Sequence, residues 1–159
     1  ILPDLNAIAV FAINKDLKLV IDDHFKDIRI QPLMQSVWTH IYRHLYVGPR
    51  RKLFAYFHEK RMEVFSFQQN RFRFSNSYEA GNEHDALYYL LYIWKLTGMD
   101  TEKDELCLIG DTPYQDWLID KAKQHLKFCR VINQEVYFNN SQLAKRKELP
   151  YDMKAIYLE

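Results

Sequence analysis

The sequence predicts an α/β fold on one mixed sheet, a three-stranded antiparallel meander continued by parallel strands, with helices on both faces. Two observations carry that expectation. Three aromatic-rich runs, residues 53–58, 62–67 and 72–76, are separated by spacings short enough for hairpins. After them, segments of helical periodicity alternate with short apolar runs of the kind that fill buried parallel strands. Residues 52–132 therefore read β-β-β-α-β-α-β, a meander followed by two right-handed crossovers.

The elements follow in chain order. Residues 7–13 (AIAVFAI) form an apolar run of strand length, as expected for a strand buried on both faces. Asn14 then caps a short helix with Leu17, Val20, Ile21 and His24 at helical spacing. A brief strand is expected over 25–30. Pro32 opens a second helix with Leu33, Val37, Ile41 and Leu45 inward, and Gly48-Pro49 ends it. Residues 1–48 thus read β-α-β-α.

After the meander, Asn82 caps a helix, with Asp85 completing the capping pattern. Leu87, Leu90, Leu91 and Trp94 point inward and Gly98 stops it. Residues 106–109 (LCLI) are a central strand. Gly110-Asp111 turns the chain into the next helix, with Thr112 as cap, Pro113 in the first turn and Gln115 closing a capping box. Leu118, Ala122 and Leu126 make its buried stripe, and 128–132 is the following strand. In the tail, 136–138 is expected as a short edge strand and Lys145-Arg146-Lys147 as a solvated run. Pro150 starts a last helix holding Met153, Ile156 and Leu158.

The totals narrow the chemistry. The 159 residues carry a net charge of +1 and are 48% apolar, which describes a cored domain and gives no bulk attraction to a polyanion. Arg71 and Arg73 alternate with Phe72 and Phe74, but alternation on a strand sends phenylalanines to the core and arginines to water. Glycine is scarce, with 4 residues, so backbone has few places to approach a phosphate closely. Cys107 and Cys129 fall in apolar strand patterns and read as buried thiols of a reducing compartment. The histidines His40 and His44 lack a third ligand nearby and read as ordinary surface or partly buried residues. No apolar run reaches membrane-spanning length, and no secretory context supports the Asn139-Asn140-Ser141 sequon. The chain opens at Ile1 without methionine, so the natural start and any targeting segment are expected to precede it.

Phe74-x-Asn76-x-Tyr78 followed by Asp85-Ala86-Leu87-Tyr88-Tyr89 is similar to an uncharacterised bacterial family, a domain of unknown function with an actin-like fold. The meander followed by alternating helix and strand resembles the ribonuclease-H-like unit, two of which make an actin-like ATPase. The resemblance implies that residues 1–48 are the C-terminal part of a first lobe, with its N-terminal half absent, and that 49–159 are the second lobe. It implies a bacterial, cytoplasmic protein and no particular activity.

An actin-like ATPase holds Mg-ATP between its lobes on glycine-bearing hairpins. Here the second-lobe hairpin has no glycine and no Asp-x-Gly, and only Glu59 of its turn could assist a metal. The adenosine-type turn is Gly110, Asp111 and Thr112, with one glycine of the usual two. These four residues are the candidate nucleotide-binding set. A two-metal nuclease of this fold class needs a carboxylate on the first strand, and 53–58 contains none. The expectation is a non-catalytic binding or assembly module acting through the interlobe cleft or a sheet edge, with a protein partner or itself. The alternative is a degenerate ATP binder or weak ATPase that still uses Gly110, Asp111 and Thr112.

Overall fold

The computed structural model describes residues 1–138, 142, 145, 146 and 148–157. One five-stranded sheet runs in the order β3-β2-β1-β4-β5, with β1 Lys52–His58, β2 Arg61–Gln68, β3 Arg71–Glu79, β4 Glu105–Gly110 and β5 Phe128–Val131. β1, β2 and β3 pair antiparallel, while β4 lies parallel to β1 and to β5. The meander and crossovers expected from the sequence are therefore present. Both hairpin turns have two residues: Glu59 has φ 54°, and Gln69 and Asn70 have φ 52° and 58°. Positive φ matches the twist of two-residue hairpins, here without glycine.

Strand alternation divides the core into two layers. On one face Phe54, Tyr56, Phe65, Phe67, Cys107 and Ile109 meet α2 (Met34–His44) through Val37 and Ile41, with Leu45 just beyond it. Helix α6 (Tyr151–Tyr157) joins that layer through Tyr151 and Ala155. On the other face Leu53, Ala55, Phe57, Leu106 and Leu108 meet α3 (Glu83–Leu96) and α4 (Gln115–Lys123). A bulge in the β2–β3 ladder moves the register between Ser66↔Phe74 and Phe67↔Phe72. Phe72 therefore packs on the first layer and Phe74 on the second, while Arg71 and Arg73 are exposed as expected.

Several expectations fail for identifiable reasons. Residues 7–13 form no strand beyond a single bridge from Ala7 to Leu2, and 25–30 form none. A strand needs neighbours for its N–H and C=O groups, and no described strand lies beside either run. Ala7 and Ala9 are half-buried against the first layer, but the larger apolar side chains stay outside, with Val10 91% and Phe25 62% exposed. Between them α1 (Lys15–His24) forms under the Asn14 cap, whose Oδ1 accepts from Asp16 and Leu17 N–H, but buries no residue.

In α2, Leu33 is exposed, and His40 is buried instead of lying at or near the surface. In α3, Ala86 and Ile93 are buried with Leu90 and Trp94, whereas Leu87 and Leu91 are half-buried. Helix α4 starts at Gln115 behind Tyr114, whose φ of 44° is left-handed, so neither Thr112 nor a capping box starts it. Residues 136 and 137 belong to a short helix, α5 (Gln134–Tyr137), not to an edge strand. In α6 the buried residues are Tyr151, Asp152, Lys154 and Ala155, while Met153 and Ile156 face solvent. The Asn139-Asn140-Ser141 sequon, Lys147 and Leu158 lie outside the described residues.

Candidate functional site

Parallel strands end together on one side of a sheet, and the backbone there diverges into loops that leave a crevice. Here β1, β4 and β5 end around a cleft with a volume of about 300 Å³. Gly110 and Asp111 line it from β4, Tyr56 and Phe57 from β1, and Tyr151 and Lys154 from α6. Gln115 of α4 and Asn133 and Gln134 after β5 add amides, and Lys145 adds a cation. The wall thus mixes both charge signs.

Gly110 has φ 84°, and a Cβ built on it would stand 2.2 Å from the Phe57 carbonyl oxygen and 2.9 Å from Tyr56 Cε2. The next N–H, from Asp111, donates to that same Phe57 oxygen at 3.0 Å. The missing side chain therefore lets β4 close against β1.

The other two candidates stand apart. Thr112 is not part of the cleft wall; its N–H donates to the Gly110 carbonyl, and its buried hydroxyl has no hydrogen-bond partner among the described residues. Glu59 sits on the hairpin turn with its side chain 79% exposed, also off the wall. Its link toward the cleft runs through His58, whose Nε2 lies 3.9 Å from Glu59 and 3.8 Å from Asp152 Oδ2. Gly110 and Asp111 meet in one site; Glu59 and Thr112 do not join them.

The sequence reading expected α6 but not its place in the cleft wall. Asp152 is 1% exposed; its carboxylate accepts from Met153 N–H at 2.6 Å, and its own N–H donates to the Tyr56 hydroxyl oxygen at 3.4 Å. Burial, and then the Asp152 charge, raise the Tyr56 phenol above its ordinary range. Lys154 is buried, with Nζ 3.5 Å from Gln134 Oε1. An Asp and a Lys two apart on a short helix give no outward signal of burial, since their partners Tyr56 and Gln134 are distant in sequence.

Among the described residues no group of three His, Cys, Asp or Glu side chains is placed to hold a metal ion. Burial pushes the Cys107 thiol up to about 12 and the Cys129 thiol to about 11, so neither is a thiolate nucleophile near neutral pH. No described helix is long and apolar enough to cross a membrane.

The family model described as a protein of unknown function, DUF3822, matches residues 1–129. No curated protein matches the chain. A crystal structure from Bacteroides thetaiotaomicron, of a protein described as having an actin-like ATPase fold and unknown function, superposes with a TM-score of 0.69 at 23% identity. The match covers 91% of this chain and 51% of that one, so this chain spans about half the length of its structural neighbour. The fold is thereby actin-like.

Proposed function

Since this chain belongs to the DUF3822 family, whose function is unknown, we propose from its geometry that it is a non-catalytic binding or assembly module on an actin-like frame, its nucleotide chemistry lost. The observation that carries this reading is Gly110. Its absent Cβ is taken up by the approach of Phe57 and Tyr56, so strand packing accounts for this glycine without a ligand. The β1–β2 turn agrees: Glu59-Lys60 presents two long side chains where a phosphate loop presents glycine N–H groups. The residues present do not fit Mg-ATP.

In this reading residues 1–48 belong to a first lobe, whose helix α2 packs on the sheet of the second lobe formed by 49–159. The exposed apolar side chains between Ile8 and Leu33 support that division, because such a surface suits a packing partner. The protein engages a protein partner or another copy through the cleft or a sheet edge. A cytoplasmic location agrees with two free thiols on neighbouring strands, Cys107 buried and Cys129 partly so.

Titration calorimetry and thermal shift with Mg-ATP, Mg-ADP and Mg-GTP test the reading. The expected result is no saturable heat and no rise in melting temperature. Gln115 is exposed and lines the cleft, so Gln115→Trp fills it without disturbing the core. Saturable nucleotide binding that Gln115→Trp removes would sink the proposal and restore the degenerate ATP binder.

A further inference from the structure

β3 ends the sheet, so one of its edges carries N–H and C=O groups that no described strand pairs. Past the bulge at Arg73 its ladder is regular over 74–79. Ser77 N–H donates to the Asn76 side-chain oxygen at 2.9 Å, so an edge donor is held by a side chain. Arg73 and Glu79, at the two ends of this stretch, are both exposed, and neither side chain has an ion pair or hydrogen bond among the described residues.

We propose that β3 pairs antiparallel with β3 of a second copy about a two-fold axis at Asn76, joining two sheets into one. With the axis there, Arg73 lies opposite the other copy's Glu79, Phe74 opposite Tyr78 and Ser75 opposite Ser77. Symmetry makes each of these pairs occur twice. Moving the axis to Ser75 puts the bulge inside the ladder and Arg73 opposite Ser77. Moving it to Ser77 leaves Arg73 without a partner. Only the Asn76 register pairs these two charges, and it keeps the bulge at the end of the ladder.

The helix above supplies a second observation. On α3, Tyr88, Tyr92 and Leu96 recur every fourth residue and are 64%, 50% and 64% exposed, with the two tyrosine rings stacked 6.1 Å apart. Tyr89 holds this side of α3 over the edge strand by packing on Tyr78, ring centroids 4.7 Å apart. A two-fold axis normal to the sheet keeps both copies of α3 on the same face. The two apolar stripes then approach each other over the joint and leave water together.

The proposal goes beyond the reading of the cleft, and either can fail alone, because one is measured by nucleotide titration and the other by mass. Sedimentation equilibrium of the whole chain is expected to show a concentration-dependent dimer. Arg73→Glu or Glu79→Arg alone places two like-charge pairs in the joint and weakens the dimer about tenfold, and the double exchange restores it. Asn76→Cys is expected to cross-link to itself under mild oxidation, while the native chain does not. Circular dichroism checks that these exposed substitutions leave the fold intact. A monomer at every concentration overturns the proposal. So does a dimer that ignores the single reversals, or one that the double exchange fails to restore.

Discussion

His40 is 2% exposed, and neither ring nitrogen has a hydrogen-bond partner among the described residues. Its ring stacks on Phe138, centroids 4.4 Å apart, and meets Tyr151 edge-on. Burial first, and then the His44 and Arg43 charges, lower its pKa from 6.5 to about 4. Unfolded, His40 takes a proton near 6.5; folded, it does not until about 4. Between those values the unfolded chain binds more protons, so stability falls as pH falls. The full gap is worth about 3 kcal/mol. Denaturant melts of native and His40→Phe proteins from pH 7 to pH 4 are expected to diverge by that order, with the phenylalanine variant the less acid-sensitive. Equal slopes in the two proteins would show that His40 does not set the acid response. In the sequence His40 and His44 read as ordinary surface or partly buried residues, because the aromatic cage comes from residues about a hundred positions away.

Single elements are joined here by side chains as much as by backbone. Lys52 opens β1 but reaches back to the end of α2, where its Nζ donates to the carbonyls of Leu45 at 2.6 Å and Val47 at 2.8 Å. A helix C-terminus carries orphan carbonyls and partial negative charge, which suits a buried ammonium. Burial pulls the Lys52 pKa down, but those carbonyls hold its protons. Lys52→Met is expected to cost about 1–3 kcal/mol by stranding them, read as a lower urea midpoint at unchanged slope. An unchanged midpoint would mean that water satisfies the carbonyls instead. The sequence marked Gly48-Pro49 as the end of this helix, and residues 50–52 link it to the first strand. It could not show that one link residue turns inward.

At the scale of the whole molecule, the sheet was legible because β1 to β5 each follow a short local rule of alternation or continuous apolarity. Residues 7–13 obey the same rule, yet form no strand for want of a neighbouring one, and no local pattern records that. The cleft was half legible. Gly110 and Asp111 announce a strand-to-helix turn, whereas Asp152 and Lys154 enter only because α6 folds back on the first layer. Gly110 itself was read as part of an adenosine-type turn, and Phe57 and Tyr56 supply the other account of it.

β1 has a near neighbour and a far one. The hairpin closes His58 onto Arg61 across two residues, but on the other side Lys52 stands opposite Glu105, with the rest of the meander and α3 between. Closing a short loop is quick, and closing a long one to form a parallel pair is slow. Time therefore orders the assembly of the sheet. Pulse-labelled hydrogen exchange during refolding is expected to protect β2 and β3 amides before those of β4 and β5, and simultaneous protection would refute it. In the interval β1 shows a bare apolar edge, Leu53 to Phe57, to whatever else is in solution. That edge is where misassembly begins if β4 arrives late.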